Sequence, residues 1–319
     1  MNPSLSAFFL ILFAVPLVAQ TPQPRFSYED RSGTMGHTLT VEGKTFGPYK
    51  EILSLTPSTS ATTGLFLVNR RDKTYIVAQG KESGPLSADN EVDQAFISDD
   101  GKLAFVSATK YSNDEDGTAE TLLWVNGKSY GPFASLQVVE YAESGGSWIA
   151  TVGLDEEQSG ILFNGKLLGP FSSVDHTWMS PDGKNWGYVT TDKEGQTTVV
   201  TPERSYEGVQ DFNFNLMYPR EPHWGFAIRI GDEEELIVVD GKTYQGYLNF
   251  SGLTTTFSGR HWAFEALKLT EAGDYPVVVI DGKEFVGEGL GSAYLGDKES
   301  FHWTVKDGSK VTLQVLSLP

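Results

Sequence analysis

Cysteine is absent from all 319 residues, which removes disulfides, thiolate metal sites and a lipid-modified cysteine from consideration. Also missing are a G-x-S-x-G elbow, an H-E-x-x-H pair, a P-loop and a Gly-rich dinucleotide fingerprint after a strand, so the commonest nucleophile, zinc and nucleotide sites have no support. Basic residues are few, 24 Lys and Arg against 42 Asp and Glu, for a net charge of −18. Such a chain repels a phosphate backbone and an anionic membrane surface alike, so nucleic acid is not expected as a partner. The same charge also serves solubility alone. Long apolar runs are missing too. The longest, residues 7–19 (AFFLILFAVPLVA), is too short to span a bilayer and precedes Gln20 and a Pro-containing polar stretch, the pattern of a secretory signal. Residues 1–6 carry no Lys or Arg, and a cut after Ala19 would place Leu17 at the −3 position; an uncleaved anchor is the competing expectation. On the signal reading residues 1–19 leave, residues 20–36 are a lead-in able to supply a closing strand, and the mature protein is periplasmic or secreted with no transmembrane span.

Glycine, by contrast, is plentiful at 34 residues, and 12% of the chain is aromatic, which suits many tight turns between short strands. Residues 98–137 show the organising unit. The runs 103–106 (LAFV) and 121–125 (TLLWV) are rich in β-formers and bounded by turn residues, so both read as strands. Asn126-Gly127 can take positive φ at both central positions, as a two-residue type I′ hairpin requires. The same signal returns at Gly43-Lys44, Gly80-Lys81, Gly165-Lys166, Gly241-Lys242 and Gly282-Lys283, spaced by roughly 40 residues apart from one double interval after Gly165. In the middle of that interval residues 201–208 (TPERSYEG) form a degenerate copy without the turn glycine, making seven. A second signal recurs, a small or polar turn followed by an aromatic-bearing strand, at Trp148, Trp186, Trp224, Trp262 and Trp303, with Leu103 and Leu65 expected in the Trp position elsewhere.

A period of about 40 residues with four strands per repeat marks a β-propeller, each blade burying its faces on its neighbours. The segments SPDGKNWGYV (180–189) and SDDGKLAFVS (98–107) resemble the S-P-D-G-K repeat of TolB-type, WD-like propellers, a class common in bacterial envelope proteins. The resemblance implies an all-β, single-domain chain over residues 37–319. The expected form is seven four-stranded blades closed by an N-terminal strand. Eight blades, two of them three-stranded, is the alternative.

In such propellers the turns joining strands two and three open on one face, and the acidic runs fall there. Asp114, Asp116, Asp155, Glu156, Asp232, Glu233 and Asp274 are the candidate binding residues; solvated hairpin tips would look the same. Residues 113–117 (NDEDG) lack the D-x-D-x-D spacing and distal Glu of a calcium loop. His223, His261 and His302 each precede a Trp in a different repeat, so they should be spread around the ring rather than share a zinc. The Trp set reads as packing between blades rather than a sugar platform. Gly-Pro pairs at Gly47-Pro48, Gly84-Pro85, Gly131-Pro132 and Gly169-Pro170 read as protection of outer edges. No catalytic residue, metal or cofactor is assigned. The expected function is a monomeric, exported, non-catalytic scaffold that binds a protein or cell-envelope partner through the acidic face or central funnel. A propeller hydrolase or lyase with carboxylates at the axis, with or without calcium, is the alternative.

Overall fold

The computed structural model of the chain describes residues 28–33, 36–41, 43–86, 91–111, 119–214, 223–230, 235–295 and 298–318. The candidate signal segment and residues 20–27 of the lead-in expected to supply a closing strand lie outside them. Thirty strands are described, with no helix, and hydrogen bonding gathers them into seven sheets. Four sheets are four-stranded antiparallel meanders. Another, of eight strands, is two such meanders in sequence, joined where Tyr247 and Leu248 pair with Lys268 and Leu267. The two end sheets have three strands each, Tyr28–Gly33, Gly36–Val41 and Lys44–Tyr49 at one end and Glu288–Leu295, Lys298–Asp307 and Lys310–Ser317 at the other. Taking the joined pair as two, the units are numbered first to eighth below.

Alternation along each second strand explains why the units stack. In the third unit Ala104, Val106 and Ala108 face back onto Leu65, Leu67 and Ile76 of the second. Phe105, between them, faces forward onto Trp148, Ala150 and Val152 of the fourth. There Ile149 in turn faces forward onto Met179 of the fifth. Period-two alternation with both faces apolar forces a neighbour on each side. An apolar cluster fills every junction from first and second to seventh and eighth. Each large side chain so buried contributes about 1.5–3 kcal/mol.

The hairpins follow the expected chemistry. Asn126 and Gly127 have φ of 53° and 82°, the left-handed pair of a type I′ turn. The turn residue also locks the sheet: Asn164 N–H donates to the Trp148 carbonyl at 3.0 Å, and its side-chain oxygen accepts the Trp148 N–H at 2.8 Å. Asp240 and Asp281 bind Trp224 and Trp262 in the same way. In the third unit Asn126 binds Ala104, so Ala104, not Leu103, holds the Trp position. In the second unit Leu65 pairs with Ala78, which moves that position back to Gly64. In the eighth, Leu318 N–H binds the Glu299 carbonyl, so Trp303 stands four residues beyond it. The first two strands there pair as early as Leu295 and Lys298, which leaves no room for the longer turn of other units. Residues 201–204 do turn the chain without glycine, through a 3.0 Å Thr201 N–H to Arg204 carbonyl bond.

Turns between first and second strands interlock from unit to unit. Thr62 Oγ1 donates to the Asp99 carbonyl at 2.7 Å, Asp99 N–H to Glu143 Oε2 at 3.3 Å, and Ser144 N–H to the Pro181 carbonyl at 3.0 Å. Within one such turn Asp182 accepts from Ser180 Oγ at 2.7 Å and pairs with Lys184 at 2.8 Å. The Lys184 ammonium and the Ser180 hydroxyl hold its carboxyl down at about 2. Its contribution is therefore present above the ordinary carboxylate range and is lost as pH falls toward that value.

A second tie crosses junctions near the outer strands. Tyr49 of the first unit hydrogen-bonds Glu82 of the second, while Arg70 pairs with Glu82 at 2.7 Å and lies 5.0 Å from the Tyr49 ring centre. Tyr247, Glu284 and Lys268 repeat it between sixth and seventh units. Burial, followed by the Glu284 carboxylate, pushes the Tyr247 phenol up to about 12. The Gly-Pro pairs lie on last strands bonded on one side only, as edge protection requires.

No described residue supplies an N-terminal strand to the last unit. Gly36–Val41 pairs with Tyr28–Gly33 on one side and with Lys44–Tyr49 on the other, and no ladder joins the two end sheets among the described residues. Trp148, 4% exposed, anchors the third junction. Trp148→Ala should lower the unfolding free energy by about 3–5 kcal/mol in urea titration; a loss below about 1 kcal/mol would contradict its placement.

Candidate functional site

In a four-stranded meander the turns between strands two and three share one end with the links from strand four to the next unit. The interlocked first-to-second turns lie at the other. The acidic runs all take the strand-two-to-three position, in the third to seventh units. Asp155 and Glu156 cross between Trp148–Gly153 and Ser159–Phe163, and Asp274 between Trp262–Lys268 and Tyr275–Ile280; all three are exposed. Asp114, Asp116, Asp232 and Glu233 lie outside the described residues.

The described carboxylates form no common cluster with His, Asp or Glu able to hold a metal ion. Asp155 turns back on its own hairpin, accepting the Glu157 N–H at 2.9 Å, and Asp192 does the same with the Gln196 N–H at 2.8 Å, the local bonding that makes Asp a turn residue. The end is not uniformly acidic either. At the first junction Lys50, Arg70 and Arg71 border a cleft of about 600 Å³, with Lys50 paired to Asp72 at 2.7 Å.

Two carboxylates that the sequence reading passed over are better placed. The first strands of the second to fifth units each carry an extra residue, a β-bulge, at Leu53, Asp93, Gln137 and Asp175. A bulge re-aims the inserted side chain. Asp93 thereby meets the second strand, where Thr109 Oγ1 donates to its Oδ2 at 2.7 Å and lies 3.0 Å from Thr121 Oγ1. Asp175, Thr191 and Thr197 repeat the arrangement at 3.2 and 3.1 Å. Asp93 and Asp175 stay exposed while Thr109 and Thr121 are buried. The available signal was a break in alternation, V-D-Q at 92–94 and V-D-H at 174–176.

On the neighbouring strand of the fourth unit, burial pushes the Glu140 carboxyl above its usual value. The histidines are tied locally. His223 Nδ1 lies 2.6 Å from Asp240 and His261 Nδ1 2.7 Å from Asp281, while His302 stands opposite Gly291 on another register. The Asp240 carboxylate raises the His223 imidazole above its usual value.

No protein-family model matches the chain, and neither does any curated protein. Among solved structures it is similar to the β-propeller domain of the Trilobed protease from Pyrococcus furiosus, at 13% identity and TM-score 0.34, covering 71% of this chain and 82% of that one. It is also similar to an acylaminoacyl peptidase from Pyrococcus horikoshii, at 12% identity and TM-score 0.31 over 86% of this chain. A third likeness is to prolyl oligopeptidase B from Galerina marginata, at 9% identity and TM-score 0.32 over 84%. The chain spans about half the length of these two enzymes, 54% and 51%. Likenesses at such TM-scores carry no argument about activity. The class of protein, an all-β chain of repeated four-stranded sheets consistent with a β-propeller, rests on the strand pairing itself.

Thr109→Val removes the one hydroxyl that orients Asp93 and leaves the fold in place. It should cost about 1 kcal/mol of unfolding free energy, read by urea titration, and an unchanged midpoint would show that the relay holds nothing.

Proposed function

We propose that the chain is an exported, non-catalytic propeller scaffold of the TolB type that binds a protein or cell-envelope partner through its acidic end or the funnel beside it. The observation that carries this reading is positional. The exposed carboxylates of the turns, Asp155, Glu156 and Asp274, share an end with Glu51, Glu91, Asp93, Asp175 and Asp211 on the first strands. Carboxylates so massed steer a cationic partner and set association rate and salt dependence more than raw affinity. Consecutive units are taken as blades of one ring. Merging the end sheets gives the seven blades of this reading, and keeping them apart gives eight. Cleavage after Ala19 and a monomeric, periplasmic or secreted chain belong to the same proposal.

The second reading, a hydrolase or lyase, draws support from Asp93 and Asp175, which are oriented carboxylates on first strands. Crosslinking in the native envelope followed by mass spectrometry separates the two. The scaffold reading expects one recurrent partner, whose capture falls with added salt and with the triple change Asp155→Lys, Glu156→Lys and Asp274→Lys, on a chain beginning at Gln20. Capture indifferent to both, or turnover of a glycan or peptide panel by the purified protein, would overturn it.

A further inference from the structure

Between the third and fourth units lies a cleft of about 280 Å³ whose wall includes Asp93, Ser107, Thr109, Tyr111, Thr121 and Leu136. Its polar groups have a definite direction. Thr109 is 7% and Thr121 5% exposed. The single Thr109 hydroxyl proton goes to Asp93 Oδ2, so Thr121 must donate to Thr109, and the relay runs from Thr121 through Thr109 to the carboxylate. Asp93 Oδ1 then keeps its full accepting capacity, and Asp93 forms no ion pair among the described residues.

A neighbouring unit shows one way in which a first-strand carboxylate is complemented. The residue of the second strand that pairs with the opening residue of the first strand is Thr109 in the third unit, Thr191 in the fifth and Arg229 in the sixth. In the sixth unit, whose first strand has no bulge, that arginine binds its own pairing partner, with Arg229 Nη2 2.9 Å from Asp211 Oδ2. In the third and fifth units a threonine stands there instead and orients the bulged carboxylate two residues along from its pairing partner. The mouth of the cleft adds an aromatic face, because Tyr111 is 60% exposed, and Leu136 and Ala134 line it with apolar surface. A carboxylate, hydroxyl oxygens and an aromatic ring beside apolar surface form the receptor expected for an ammonium or guanidinium on an alkyl stem. A neutral hydroxylated ligand would leave the charge uncompensated in a chain of net charge −18.

We propose that this cleft receives a lysine or arginine side chain of the partner, with Asp93 as its counter-charge. The proposal rests on the reading of the acidic end as the partner face and names the group that anchors there. In an NMR titration of the full chain with tetralysine amide, the amides of Thr109, Tyr111 and Thr121 should shift. Asp93→Asn should weaken that response about tenfold or more, as expected for losing a hydrogen bond to a charged group. Thr109 can still donate to the amide oxygen, so the spectrum elsewhere should stay that of the wild type. Glu203→Gln, an exposed charge in the turn between third and fourth strands of the fifth unit and so at the other end, should change the response by no more than about twofold. The proposal is overturned if Asp93→Asn binds like the wild type, or if tetra-acetyl-lysine amide or maltotetraose produces the same shifts. Shifts confined to residues 154–158 would overturn the cleft alone and leave the acidic end standing; no shift anywhere would overturn both.

Discussion

Face-to-face packing of thin sheets is the constraint from which the remaining features follow. Phe105 and Val106 point to opposite sides of one strand, and both are fully buried, so a sheet built around them has no side it can show to water. The same holds for Ile149 and Ala150 in the next unit, and for Ala263 and Phe264 in the seventh. Each unit then requires one neighbour before it and one after it, which makes the chain a series of units with nearest-neighbour contacts. The end sheets stand apart. Val311, Leu313 and Val315 of the last strand are 58%, 61% and 47% exposed, on the face turned away from the seventh unit. The side of the first sheet turned away from the second carries Thr40 and Thr45, joined by a 2.9 Å hydrogen bond.

With packing assigned to the strands, the turns divide between two tasks. Those joining first to second strands lock neighbouring units through backbone and carboxylate contacts such as Asp99 to Glu143. Those joining second to third strands make no such locks in the fourth and fifth units, where Asp155 and Asp192 close their own hairpins. The turn-to-turn locks and the acidic turns therefore lie at opposite ends, though backbone pairing of Tyr247 and Leu248 with Lys268 and Leu267 also joins two units at the end left free of such locks. The acidic surplus lies at the free one, interrupted at the first junction by Lys50, Arg70 and Arg71.

Much of this was readable from short-range signals. Asn126-Gly127 and its copies announce their hairpins because positive φ at two adjacent residues is a local demand, and the turns indeed have it. Register across strands was less readable. Leu103 was off the Trp position by one residue, and Trp303 by four, because the length of the preceding turn decides which residue meets the hairpin. The bulges left only a faint trace, the break in alternation at 92–94 and 174–176, for a related reason. Whether Asp93 is an inserted residue depends on the partner strand skipping from Ala108 to Ser107 opposite Val92 and Gln94, which no single strand encodes. The acidic turns could be located but not ranked: Asp155 looks like Glu156 in sequence, and only geometry shows that one caps its hairpin.

Isolation of one unit tests the packing constraint most directly. Residues 91–133 contain all four strands of the third sheet and both of its apolar faces. Expressed alone, this segment should give a collapsed amide NMR spectrum without a cooperative urea transition, since neither face has a neighbour. A dispersed spectrum from a monomer with a cooperative transition would contradict the account, because the sheet would then stand without the contacts held to define it.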